Sequence, residues 1–347
     1  MLQRSSLSTY LLWIGLLALL PVGWACRTGN TAPPQRPTPG QSQGTAAVGA
    51  SCLCPTQTLP VGEWTNWPKQ AKAGAGKAFW KAWGDGKAEM NSYITKIERY
   101  GQSWPAELVL IYVTEPLNRK TWVKDDSVTG ANRISTLKLN ISLKFKTGLY
   151  PYSVMTSVFS PVDHWRKERF APAKITLSAQ DWCGHVYGSV WPSDQSYLHQ
   201  LNSYFASEGE KRAVVPVKGE HLYEDALLIQ LRELVEPFNQ GKAWKGYVVP
   251  SLWRNRKKHR SLQPRLATIT RKQVTQNSLQ ATQFTLRYTN LGFTQTYTVE
   301  AKGARRMLRL TNSDGETMTL NKSMRLPYWN LSSPSDSAYR KQLGLQQ

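Results

Sequence analysis

The sequence predicts a mainly β protein, a β-rich α+β chain whose antiparallel strands form one curved sheet or open barrel with a single long helix packed on it. Three observations carry this. Runs rich in β-branched and aromatic residues alternate apolar and polar side chains with period two, from "AEMNSYITKIERY" through to "MTLNKSMRL". Glycine, proline and Asp-Gly punctuate those runs at short intervals. Only "HLYEDALLIQLRELVEPF" carries a broad apolar stripe of helical period, which predicts one long helix over 221–237, closed by Pro237.

The elements follow in order. Arg4, the apolar run Leu11–Leu20 and the small residues before Cys26 have the order of an export signal over 1–25. Residues 26–62 hold Pro, Gly, Thr, Ser and Gln with no acid before Glu63. Such a segment buries too little apolar surface to offset its ordering entropy and reads as a tether. Cys52 and Cys54 lie in it, too close for an unstrained disulfide and too few for zinc. A β-rich region over 63–240 opens with a short helix, "GAGKAFWKAW", stopped by Gly84-Asp85-Gly86. A hairpin follows, "AEMNSYITKIERY" and "AELVLIYVTEP". In "LKLNISLKFK", Leu137, Leu139, Ile141, Leu143 and Phe145 share one face while Lys138, Lys144 and Lys146 take the other, so one face is buried and one is wet and basic. Strands resume over 241–347, the last pair folded at Asp314-Gly315, for a total of about eleven.

With 40% apolar and 11% aromatic residues the chain has material for a real core and is not a disordered protein. No stretch after the signal approaches the roughly 18 apolar residues of a spanning helix. The formal net charge is +21, and the 107 residues from Gly241 onward hold 19 bases against four acids. That asymmetry implies a polyanionic neighbour. The densest run is "RNRKKHR": Arg254, Arg256, Lys257, Lys258 and Arg260, preceded by Trp253, have the composition of a segment lying on lipid head groups. For an exported protein the candidate partners are anionic lipid, lipopolysaccharide or a cell-wall polymer; no recognition motif for nucleic acid accompanies the basic run.

Two resemblances bear on the envelope reading. "GWAC" resembles the lipobox of bacterial lipoproteins, in which cleavage precedes a lipid-bearing cysteine, here Cys26; Gly23 stands where that pattern prefers leucine, and Gly23 with Ala25 also suits an ordinary signal peptidase. "FWKAWGDGKAEMNSY", "VLIYVTEP", "KTGLYPYSVMTSVFSPV", "QDWCGHVY" and a late "YWN" together resemble uncharacterised exported lipoproteins, best represented in Bacteroidetes, that sometimes carry the label septum formation inhibitor Maf. The resemblance is dense over about 78–190. It implies an exported envelope protein and transfers no catalytic residue. True Maf enzymes are cytosolic α/β pyrophosphatases with an early Ser-x-Arg, whereas Ser323-Met324-Arg325 falls near the end of this chain. A looser architectural analogy is to envelope lipoproteins in which a half barrel cups acyl chains beneath a crossing helix.

The richest stretch chemically is "DWCGHVYGSVW", residues 181–191. As one strand it sends Asp181, Cys183, His185 and Tyr187 to one face, with Cys183 and His185 about 7 Å apart at the backbone. That spacing is poor for a nucleophile and its base, which converge from different elements. An exported hydrolase or thiol enzyme using Cys183, His185 and Asp181 is the alternative to a polar structural strand. A metal would need a further ligand such as His164, His199 or His221, which the spacing does not supply, so neither metal nor cofactor is expected. Asp85 and Glu89 could form an acid pair, but an Asp-Gly turn accounts for Asp85. Binding of an envelope anion without catalysis is the leading expectation; a structural tether to the cell wall is a further one.

Overall fold

A computed structural model describes residues 75–162, 170–234, 238 and 241–345. The signal, the tether, Cys26, Cys52, Cys54 and His164 lie outside them. The described residues belong to one compact unit.

The predicted short helix is present as α1, Lys77–Trp83. Eight strands follow as a continuous meander: β1 Ala88–Arg99, β2 Gln102–Asn118, β3 Arg133–Thr147, β4 Tyr150–Pro161, β5 Lys174–Asp181, β6 Gly184–Pro192, β7 Ser196–Ser203 and β8 Glu210–Pro216. The remainder are β9 His221–Tyr223, β10 Trp244–Val249, β11 Arg265–Gln276, β12 Leu279–Tyr288, β13 Thr294–Glu300, β14 Met307–Asn312 and β15 Thr317–Leu326. The described residues thus contain fifteen strands rather than about eleven: the run through residues 181–191 is two strands folded over a turn, and β7, β8, β9 and β10 form in segments that carry no predicted strand.

All fifteen belong to one sheet, ordered β8-β7-β6-β5-β4-β3-β2-β1-β15-β14-β13-β12-β11-β10-β9. The two edge strands, β8 and β9, are consecutive in the chain, joined by four residues between Pro216 and His221. A flat sheet of this size would separate its edges by about 65 Å. A connection of that length reaches at most about 18 Å. The sheet therefore curls until its edges approach, as an open barrel. The neighbouring pairs β1–β15 and β9–β10 join the residues before and after 240 in that one sheet.

Register defines the interior. Glu89, Tyr112, Leu139, Val158, Ile175 and Val190 are successive partners across six strands and all are buried. The alternation predicted for β3 holds, with Leu137, Leu139, Leu143 and Phe145 facing the core.

Over the described residues 221–234 the predicted long helix is not formed. Residues 221–223 pair with β10 as a short parallel strand, Glu224–Ala226 make a 3-10 turn, and α2 spans only Leu227–Gln230. The physical reason is burial on all sides: Leu227, Leu228, Ile229 and Leu231 fill the barrel as a plug rather than laying one face on its outside. A helical stripe in sequence cannot distinguish these cases. The plug occupies the volume that the acyl-chain analogy would leave open.

The basic run is folded and largely buried. Leu252–Lys257 form α3, whose N-cap Ser251 accepts a hydrogen bond from the backbone N–H of Arg254 at 3.4 Å. Leu252, Arg254, Asn255 and Lys257 are buried.

Candidate functional site

In a meander, alternate turns lie at one end. The β1–β2, β3–β4, β5–β6, β7–β8 and β14–β15 turns share one mouth of the barrel, and α3, which joins β10 to β11, lies across it. The cations of "RNRKKHR" accordingly meet acids presented by strand ends. Arg254 pairs with Glu224, which also accepts from the Tyr288 hydroxyl at 2.6 Å, and its guanidinium lies 3.9 Å from the Phe293 ring centre. Arg256 pairs with Glu208 at 2.9 Å and lies over Phe205. Lys257 pairs with Glu316, and Lys258 reaches Glu98 at 3.4 Å and Asp314 at 3.6 Å. His259 ends α3 in the left-handed conformation, φ 49°, with Nδ1 2.5 Å from Glu208 Oε1. Arg260 is exposed and has no ion pair among the described residues. Trp253 is half-buried against Phe145. Most of the predicted binding residues are thus structural ion pairs, and Arg256 and Arg260 are the ones left on a cavity.

That cavity, of about 60 Å³, lies between α3 and the wall of β6, β7 and β8. Its polar lining includes His199, Lys211, Arg256, His259 and Arg260, with Glu208 the acid, over a floor of Leu177, Leu201, Leu252 and Leu262. At about 10–15 Å³ per water it has room for roughly five waters, or one phosphate or carboxylate group. Burial lowers the Arg256 pKa from its ordinary value, Glu208 opposes that, and nearby Arg99 adds to it. His199 is lowered to about 4 by burial, with Lys211 contributing, and is neutral at pH 7.

The stretch "DWCGHVY" divides here. β5 ends at Asp181 and β6 begins at Gly184, so Trp182 and Cys183 form a turn instead of continuing one strand. Asp181 closes it, its Oδ1 accepting from the Cys183 N–H at 2.7 Å and the Gly184 N–H at 3.3 Å. Gly184, at φ 156°, lies under the Tyr204 ring; a Cβ there would fall 2.6 Å from Tyr204 Cγ. Cys183 and His185 are exposed, and no hydrogen bond joins them among the described residues. The single strand face predicted for Asp181, Cys183, His185 and Tyr187 is therefore broken by the turn at 182–183. Asp85 likewise caps its turn, accepting from the Lys87 N–H, and bonds Arg325, while Glu89 points inward to Arg232.

Sequence reasoning missed a buried lysine on the outer wall. Lys174 donates to the Trp122 carbonyl at 2.6 Å beneath the β2–β3 loop, between the rings of Phe159 and Trp191. Burial lowers its pKa to about 8 against the pull of Glu115. It also missed Glu208, whose role no local motif announces. The only signal was an acid near a strand start in a basic surround.

No family model matches the chain, and no curated protein matches it. Among solved structures it is similar to a β-barrel-like protein of a domain of unknown function from Brucella abortus, with 9% identity and a TM-score of 0.41 over 69% of this chain and 98% of that one.

Proposed function

We propose that the protein is a non-enzymatic binder of a small anionic group, a phosphate or carboxylate, held in the cavity beneath α3, and that it works in the cell envelope, tethered to a membrane through Cys26. One observation carries the reading: Lys211, Arg256, His259 and Arg260 converge on a cavity whose lining holds the single acid Glu208. Glu208 bridges Arg256 and His259, so its carboxylate stands where a ligand anion would stand. Envelope lipids, lipopolysaccharide and wall polymers all present such anions. The export-like leader, the "GWAC" stretch and the acid-free tether support that location. The thiol-enzyme alternative has less support, because the Asp181 carboxylate is engaged in a turn and Cys183 and His185 face solvent.

Calorimetric titration of the full chain with inorganic phosphate and with acetate tests this. Saturable one-to-one binding that weakens by about tenfold in Arg260→Ala supports it. Binding indifferent to both Arg260→Ala and Lys211→Ala, or absent from wild type and Glu208→Gln alike, would overturn it.

A further inference from the structure

We infer that the mouth of the barrel above this cavity is a docking surface for an anionic lipid bilayer. Its apolar contacts come from side chains other than those of the cavity; Arg260 belongs to both surfaces, and otherwise the inference shares with the proposed function only the envelope location.

The observation is where the exposed apolar side chains lie. Four of the five most exposed large hydrophobic residues among those described are at turn tips of this one mouth: Leu149 at 78%, Trp182 at 66%, Tyr204 at 65% and Tyr100 at 57%. Each tip comes from a different hairpin, so no local packing rule groups them. They are nevertheless continuous. The Tyr100 hydroxyl lies 3.1 Å from that of Tyr150, and the Tyr150 and Trp182 rings are 6.3 Å apart. Tyr204 lies over Gly184 on the next hairpin and edge-on to Phe205, which meets His259. Turn tips in water favour Gly, Asn, Asp and Ser, and a rim of Trp, Tyr and Leu is the composition that sits at head-group depth.

Charge selects the partner. Five of the rim acids are engaged: Asp181 in its turn, Glu208 with Arg256, and Glu98, Asp314 and Glu316 with Lys257 or Lys258; Glu210 is exposed, beside the exposed Lys211 and Arg212. Lys146, beside Leu149, and Arg260 are exposed and have no ion pair among the described residues. Aromatic tips flanked by free cations match an anionic membrane surface better than a neutral one.

Cys183 lies on the rim, which makes the test direct. In the full chain with Cys26→Ser, Cys52→Ser and Cys54→Ser it is the sole thiol and takes a fluorescent label. A second chain carries the label at Leu279→Cys, in the β11–β12 turn at the opposite end, with Cys183→Ser. On phosphatidylglycerol vesicles containing a nitroxide lipid, quenching at 183 should exceed that at 279 several-fold. The double change Leu149→Ser with Tyr204→Ser should erase the difference and leave phosphate titration unchanged. Equal quenching at the two ends, a difference that survives the tip changes, or self-association that shields the 183 label without vesicles would overturn the inference.

Discussion

Arg232 and Glu89 meet inside the barrel, where Nη1 donates to Oε1 at 2.8 Å and Nη2 to Oε2 at 3.3 Å, with both side chains almost wholly buried. The guanidinium also lies 4.3 Å from the ring centre of Tyr112 and 4.9 Å from that of Trp83, and Nη2 donates to the Ala304 carbonyl at 2.7 Å. One charge on the plug is thus tied to α1, β1, β2 and the β13–β14 turn.

Removing one partner leaves the other charged in an apolar interior. Arg232→Met should cost about 3–5 kcal/mol in urea denaturation, and adding Glu89→Leu should restore much of it. Burial alone would raise the Glu89 pKa, but Arg232 outweighs it and holds it below its ordinary value. A depressed carboxylate contributes stability that is present at neutral pH and lost as pH falls through the folded value, so Glu89→Leu with Arg232→Met should flatten that acid limb.

Within the basic run, stability and binding should separate by residue. Arg254→Ala strips Glu224 of its buried partner and should cost about 3–5 kcal/mol. Arg260→Ala should change stability by less than about 0.5 kcal/mol while weakening phosphate binding. Paired thermal unfolding and calorimetry on both variants check this.

Asp181 and Cys183 should behave oppositely to a catalytic pair. Asp181→Ala loses two turn-closing hydrogen bonds and should destabilise by about 1 kcal/mol. Cys183→Ala should leave stability and phosphate binding unchanged, and loss of binding in it would revive the thiol reading.

His199 gives a pH signature. Its folded pKa of about 4 lies below the ordinary 6.5, so the unfolded chain takes up the proton first, and stability is full above pH 6.5 and declines as pH drops toward 4. Asp225, raised to about 6 by burial, contributes the opposite slope, its stability falling as pH rises from 3.8 toward 6. The difference between His199→Gln and wild type therefore isolates the histidine: the variant should lose less stability than wild type between pH 6.5 and 4 in chemical denaturation.

Strands and turns were legible because period-two alternation in β3 and the Asp-Gly turn at 314–315 are local properties of the chain. The plug was not: its 3.6-period stripe is equally the signature of a segment apolar on every side. The basic run reads in sequence as a segment for lipid head groups because a sequence does not show that Glu98, Glu208, Glu224 and Glu316 arrive from four distant elements to neutralise it. Asp181 and Cys183 were grouped as chemistry because a turn at 182–183 reads, one residue at a time, like a strand. The cavity became visible only once β7, β8 and α3 were set side by side.

The most direct measurement is phosphate affinity in Glu208→Gln compared with wild type. If Glu208 occupies the anion position between Arg256 and His259, removing its charge should tighten phosphate binding by about tenfold, with the variant still folded by circular dichroism. Unchanged or weaker binding in Glu208→Gln would contradict the account.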